Sequence, residues 1–299
     1  MWPICWPSSS PYGEPMKHRE LSQLFKLPMS LMSTASAATG YLAFTQELTW
    51  RLLPPMAAVL SLAFAACALN HAQDHRIDAR MQRTAGRPIP QGKVSPKGAV
   101  GLAALLAGAA LLGLWWSGGG LAAGLGAFAM LWYNGLYTYL KRVSWLASLV
   151  GALIGAIPPA IGWICAGGNL QGPILSLSFF LLVWQVPHFW LLALRVSDDY
   201  RQAHIPTIVD RLGAASLSRV TFMWTTVSAA SALLLPIFGL ARSPFLGPVL
   251  ALAGVCLTLV AWRCLRVPSP QGFRRAFRAI NAYAALVMTA VMLDALVLR

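Results

Sequence analysis

Polar, mostly basic connections cut this chain into apolar runs of about 20 residues, and no other feature constrains its fold as tightly. A bilayer crossing takes roughly 20 mostly apolar residues. Nine runs meet that length, at about 28–47, 51–70, 96–116, 119–138, 145–167, 173–195, 216–240, 245–265 and 279–298. Backbone N–H and C=O groups in hydrocarbon must be satisfied inside each segment, so every run is expected to be helical. With 57% hydrophobic and 11% charged residues and a mean hydropathy of +0.61, a water-soluble domain is excluded. The expected fold class is therefore an all-α polytopic membrane protein with nine transmembrane helices. Trp115-Trp116-Ser117-Gly118-Gly119-Gly120 predicts a tight hairpin, and Pro54-Pro55 and Pro158-Pro159 are expected to kink or shorten their helices.

The basic residues set the orientation. Of the 23 Lys and Arg, 20 fall in alternate connections, and the other side receives only Arg51, Arg242 and Arg299. Positive charge collects on the cytoplasmic side, which places the N-terminus inside and the C-terminus outside. The same rule accounts for the net charge of +14 without nucleic acid, with anionic membrane lipid as the counterpart. Residues 1–22 lack the basic start and unbroken apolar run of a signal peptide; they read as a disordered tail before one intramembrane domain, 23–299. The five cysteines are scattered, with no CxxC, and read as small apolar packers.

Only nine residues are acidic, and five of them crowd two connections on the basic side. In Asn70-His-Ala-Gln-Asp-His-Arg-Ile-Asp78, the oxygen side chains Asn70, Asp74 and Asp78 fall four apart. On a continuing helix each such step rises about 6 Å and returns to nearly the same face. Two carboxylates so placed repel each other. Arg76, Arg80 and Arg83 could simply neutralise them at the surface. The functional reading is a Mg²⁺ site, since Mg²⁺ takes one or two carboxylates together with substrate phosphate. Arg83, Arg87 and Lys93 follow around a Gly86-Arg87-Pro88 turn and suit an anion clamp. Carboxylates mixed with excess cations fit a metal-bound diphosphate better than a cation channel.

Three further blocks carry chemistry. Asp198 and Asp199 are adjacent, so on a helix they point about 100° apart, and either could bind metal while the other pairs with Arg195 or Arg201. Tyr133, Tyr137 and Lys141, four apart, make a stripe of two phenols and an ammonium. It reads either as an interfacial aromatic belt or as a Lys aimed at diphosphate beneath π faces that stabilise a cation. His188, in WQVPHFW, lies at or near membrane depth, where an imidazole is either a satisfied packing residue or a haem ligand.

NHAQDHRIDARMQRTAGRPIP resembles the first aspartate-rich motif of UbiA-type intramembrane prenyltransferases. YTYLKR, GAIPPAIGW and WQVPHFWLLAL followed by DDYRQAHIP agree in order, from about Leu24 to the C-terminus, and the last two are more similar to the haem-modifying branch than to the quinone branches. The resemblance implies nine helices around a central cavity in a bacterial cell inner membrane. It implies Asn70, Asp74, Asp78, Asp198 and Asp199 as the Mg²⁺ set, and Asp74, Asp78 and Lys141 as catalytic. It further implies Asn70, Arg83, Arg87, Tyr137, Arg142 and His188 in substrate binding, with Lys26 matching the basic residue that opens the first span. The implied reaction moves farnesyl from farnesyl diphosphate to a vinyl group of haem B, with addition of water, giving haem O for haem-copper oxidases. A haem A synthase or an oxidase assembly factor is the implied partner. Two departures bear on the acceptor. KLPMS has Met29 where the haem branch often has Arg, and His204-Ile-Pro-Thr207 stands where that branch reads Gly-Ile-Pro-Met. A quinone precursor or other aromatic acceptor, and a haem-binding protein without transferase activity, stay open alongside.

Overall fold

The computed structural model describes residues 17–297, and among them the secondary structure is helical, with no strand. In chain order the helices are α1 (His18–Leu24), α2 (Leu27–Thr45), α3 (Leu53–Asp78), α4 (Pro96–Met130), α5 (Thr138–Leu140), α6 (Ala147–Cys165), α7 (Gly172–Gln202), α8 (Ile208–Ser231), α9 (Leu234–Ile237), α10 (Leu246–Leu265) and α11 (Pro270–Val297). A π-helical stretch, Leu131–Tyr137, joins α4 to α5. Of the expected tail, residues 1–16 lie outside the described residues, as does Cys5, and His18–Leu24 form α1 with Leu24 fully buried.

Among the described residues, seven helical stretches are long and apolar enough to cross a membrane. The difference from nine has two sources. Helix α2 carries Ser, Thr and Gly through its length, so it falls short on apolarity. The two runs expected at 96–116 and 119–138 lie in one helical stretch, Pro96–Leu140. Forty-five residues of straight helix would measure about 68 Å, against a hydrocarbon core of about 30 Å. The stretch is broken at Gly118 (φ −145°, ψ 15°) and Gly119 (φ 67°, ψ −164°), where glycine alone tolerates the positive φ. A Cβ added at Gly126 would lie 2.7 Å from Leu114 Cδ1, although twelve residues of straight helix would separate them by about 18 Å. The chain therefore doubles back as the expected hairpin.

Pro54-Pro55 start α3 instead of kinking it, because the first turn needs no N–H from them. Pro158-Pro159 sit inside α6, and the Pro159 carbonyl faces α2 so closely that a Cβ on Gly40 would lie 2.0 Å from its oxygen. Gly162 meets Ala37 in the same way at 1.8 Å, so α2 and α6 approach backbone to backbone, as small residues allow in membranes. Helix α6 is the seam between two apolar cores. One gathers Phe180, Leu177, Leu250, Ile280 and Val287 from α7, α10 and α11; the other gathers Ala37, Leu62, Leu114 and Ile161 from α2, α3, α4 and α6. Large apolar side chains such as Leu105, Trp116 and Leu252 face outward, as lipid-facing helices require.

Candidate active site

Helix α3 runs past its apolar part to Asp78, so the four-residue spacing becomes a physical ladder. Asn70, Asp74 and Asp78 are 2%, 4% and 2% exposed, which rules out the reading of a solvated surface stripe. Asn70 Nδ2 donates to Asp74 Oδ2 at 2.8 Å and to Thr138 Oγ1 at 3.0 Å. Buried carboxylates need paired charge, and cations from three parts of the chain supply it around the ladder. Lys141 Nζ is bonded to Asp74 Oδ2, and Arg142 Nη2 reaches Asp74 Oδ1 at 3.0 Å. Arg87 Nη1 holds Asp78 Oδ2 at 2.7 Å. Lys26 Nζ donates to Asn70 Oδ1 at 2.8 Å and to the Tyr133 hydroxyl at 3.1 Å.

The loop and the π segment set this geometry. Thr84 Oγ1 donates to the Asp78 carbonyl at 2.9 Å, which folds the loop after α3 back on the ladder. Gln73 Nε2 donates to the Asn134 carbonyl at 3.0 Å, and Asn134 Nδ2 returns a bond to Gln73 Oε1 at 3.2 Å. This reciprocal lock fixes the π segment against α3; π turns recur at functional sites. It stacks Tyr133 on Tyr137 (centroids 5.6 Å apart) and Tyr137 on Phe189 (6.4 Å). Lys26 Nζ lies 5.8 Å from the Tyr133 ring centre and Lys141 Nζ 5.8 Å from that of Tyr137. The stripe read from the sequence is thus present, turned inward onto the carboxylates.

The second acidic pair divides. Helix α7 departs from helical geometry at Val196 (φ −125°, ψ 22°), just before the pair. Asp199 Oδ2 then faces Arg83 Nε at 3.5 Å and ties α7 to the loop after α3. The Asp198 side chain is 90% exposed and sits 3.6 Å from Arg201. Lys93, expected in the anion clamp, pairs instead with Glu20 of α1. His188 is not brought to the carboxylates. It stands in the seam between α7 and α11, with Nδ1 3.0 Å from Asn281 Oδ1 and its ring beside Trp184 and Phe277. Its neighbour Phe189, which stacks on Tyr137, links it towards the ladder.

Sequence reasoning missed Thr138, Gln73 and Asn134, which hold the ladder and the π segment in place. Their one signal is position: Asn134 and Thr138 are four apart, each directly after a tyrosine of the stripe, Tyr133 and Tyr137.

Among the described residues no group of three or more His, Cys, Asp or Glu is placed to hold a metal. A closed, all-protein metal cage is therefore not what this site offers. The donor set of Asn70, Asp74, Asp78 and Asp199 is all oxygen, with two carboxylates one turn apart. That fits Mg²⁺ held jointly by carboxylates and substrate phosphate. Five cationic side chains (Lys26, Arg83, Arg87, Lys141, Arg142) meet three carboxylates here, so the site carries excess positive charge. Arg142 Nε is buried without a partner, a donor still short of an acceptor. Unpaired buried donors of this kind suit a phosphoryl oxygen.

The sequence pattern of the UbiA prenyltransferase family matches residues 27–287. A protoheme IX farnesyltransferase from Geobacter sulfurreducens is 37% identical over 271 residues, covering 90% of this chain and 97% of the relative. The fold is shared with the apo structure of a UbiA homologue from Aeropyrum pernix K1, with TM-score 0.70 at 19% identity over 89% of this chain and 98% of that one. It is also shared with a UbiA homologue from Archaeoglobus fulgidus bound to DMAPP and Mg²⁺. There the TM-score is 0.65 at 10% identity, over 90% of this chain and 99% of that one.

Proposed function

The chain belongs to the UbiA prenyltransferase family, and from that premise we infer that it transfers farnesyl from farnesyl diphosphate to haem B, giving haem O. It is an integral, multi-pass membrane enzyme. The observation that carries the reading is the buried Asn70–Asp74–Asp78 ladder, bound by long cationic side chains, in a chain so similar to a haem farnesyltransferase along its length.

The residue roles follow from the contacts. Asp74 and Asp78, with Asn70 and Asp199, would hold Mg²⁺, which supplies Lewis-acid charge at the phosphoryl oxygens. Asp198 is left outside this set by its exposure. Lys141, Arg142, Arg87 and Arg83 bind the diphosphate by exchanging a carboxylate partner for a phosphate oxygen, and Lys26 by turning from the Asn70 amide oxygen. Charge already in place where negative charge develops is the main catalytic device. As the allylic C–O bond breaks, diphosphate leaves and C1 becomes electron-poor. The π electrons of a haem vinyl group form the new C–C bond to C1. Water adds to the resulting cation and a proton departs, leaving a hydroxyethylfarnesyl group. The stacked rings of Tyr133, Tyr137 and Phe189 would stabilise positive charge on that carbon. The apolar bundle accommodates the farnesyl tail and keeps water from the cation until the carbon bond has formed.

Nine crossings complete the topology, with α2 as the first and the Gly118-Gly119 break separating the third from the fourth. The 20 basic residues on one side put the N-terminus and the ladder at the cytoplasmic face of a bacterial inner membrane. The product then passes to a haem A synthase or to oxidase assembly. Purified protein in detergent, given haem B, farnesyl diphosphate and Mg²⁺, tests the reading by mass spectrometry of the haem. A gain of farnesyl plus water that EDTA abolishes is the expected outcome. Unmodified haem, with farnesyl transferred to another aromatic acceptor and diphosphate released, would overturn the acceptor.

A further inference from the structure

The seam between α7 and α11 holds a polar pair that the carboxylate site does not use. His188 Nδ1 lies 3.0 Å from Asn281 Oδ1, and Asn281 Nδ2 donates to the Phe277 carbonyl at 2.6 Å. The second bond fixes the amide, because only its nitrogen end can face a carbonyl. Its oxygen end therefore faces the imidazole. An amide oxygen only accepts, so Nδ1 carries the ring proton and the lone pair is left on Nε2. Nε2 has no protein partner among the described residues, yet it is not sealed off as both ring nitrogens of His71 are.

The ring is also immobilised. Trp184 and Phe277 stand against it with centroids at 4.9 and 5.0 Å. Trp184 is pinned in turn by its Nε1, which donates to the Ile280 carbonyl at 2.8 Å. Seven residues on, and so about 10 Å along the same helix face, comes Arg195. Its guanidinium lies 4.5 Å over the far end of the same wall, Phe277. A fixed lone pair, aromatic neighbours on the imidazole and a cation two turns nearer the water side suit a planar apolar macrocycle with a metal at its centre and carboxylates on one edge.

We infer that His188 Nε2 ligates the iron of the haem acceptor, that Asn281 is the positioning residue that fixes its tautomer, and that Arg195 receives the haem carboxylates at the rim. The identity of the acceptor rests on the farnesyl-transfer reading above; the state of the imidazole does not. The bond is a simple donor bond from Nε2 to iron, with no proton lost and no electron moved. Hydrogen bonding of the distal ring nitrogen is what orients a ligating histidine and sets its basicity. Phe189, next in sequence, stacks on Tyr137. A macrocycle held at His188 thus lies beside the phenol layer that covers the diphosphate site.

The full-length protein in detergent, titrated with ferric haem B without farnesyl diphosphate, tests this directly. Wild type is expected to give a histidine-ligated optical and EPR spectrum at one haem per chain. His188→Gly is expected to lose that spectrum and bind haem at least tenfold more weakly, with added imidazole restoring the spectrum. Asn281→Asp should lower the midpoint potential of the bound iron and Asn281→Leu raise it, shifts that a packing role would not produce. Arg195→Gln should weaken haem B but not its dimethyl ester. Retained binding of farnesyl diphosphate checks that each variant is folded. If wild type binds and farnesylates haem while His188→Gly keeps the spectrum and affinity, the ligand assignment is overturned and the reaction stands. If wild type binds no haem yet transfers farnesyl to another acceptor with release of diphosphate, both fall.

Discussion

Asp74 and Asp294 are equally hidden, at 4% and 2% exposure, and are held in opposite ways. Asp74, at the loop end of α3, is bonded by Lys141, Arg142 and Asn70, all side chains. Asp294, at the far end of α11, takes the main-chain N–H of Arg242 at 2.6 Å and of Ser243 at 3.1 Å, together with the Ser243 hydroxyl. Main-chain donors are fixed by the fold and cannot be lent to anything else. A lysine and an arginine can turn from a carboxylate to a phosphate without unfolding a helix. Burial of a carboxylate therefore does not distinguish a site from a strut; the identity of its donors does. Asp294 fastens the connection before α10 to the last helix, while Asp74 is paired with cations that a ligand can claim.

The largest effect should come from emptying the first region. Asp74→Ala and Asp78→Ala each remove a ligand from the leaving-group end, where loss of one preorganised electrostatic contact lowers turnover by about 100- to 1,000-fold. Turnover followed by haem mass, beside a thermal melt that stays near wild type, is the measurement. Normal turnover by Asp74→Ala would end the distinction drawn here. EDTA should match these variants in effect, and excess Mg²⁺ should reverse it for wild type and not for Asp78→Ala.

The second acidic pair sharpens the same contrast. Asp199→Ala is expected to raise the KM for farnesyl diphosphate by about tenfold, the order of one charge-assisted contact. Asp198→Ala should remain within about twofold, as surface ion pairs contribute little. Equal losses at both positions would mean that the pair acts as a unit.

Legibility in the sequence followed the range of the interaction. The Asn70–Asp74–Asp78 face was readable because helical period alone determines it. The hairpin at Gly118-Gly119 was readable because glycine in an apolar run has one use there. The division of Asp198 from Asp199 was not, since the bend at Val196 resets the phase of the helix. Lys26 was visible only through family likeness; its bonds to Asn70 and Tyr133 span 44 and 107 residues of sequence. Asn281 gave no signal, because its meaning lies in His188, 93 residues away. Nine apolar runs are legible by length, whereas seven helical stretches among the described residues are long and apolar enough to cross a membrane; the difference lies in the polar residues of α2 and in two runs that share one helical stretch across a glycine break.

Asp294→Ala tests the other half of the comparison. It leaves two main-chain N–H groups and a hydroxyl without their acceptor, at about 1–3 kcal/mol for a buried unsatisfied donor. The expected result is a lower melting temperature with wild-type turnover per folded molecule. Lost turnover at an unchanged melting temperature would make the far end part of the site.

The smallest effect is expected where Lys93 meets Glu20, a pair that the sequence placed in the anion clamp and the structure places on α1. The hydrogen bond from Lys93, followed by the Lys17 backbone N–H, holds the Glu20 carboxyl below its ordinary value of 4.5. A carboxyl lowered on folding contributes stability above that ordinary value and loses it as pH falls through the lowered one. Wild type should therefore show a slight extra fall in melting temperature below about pH 4.5 that Glu20→Gln lacks. At neutral pH, Lys93→Met should leave the affinity for farnesyl diphosphate within about twofold, since an exposed pair contributes little. A tenfold loss there would return Lys93 to the diphosphate and show that the α1 pairing is the resting position of a residue the substrate recruits.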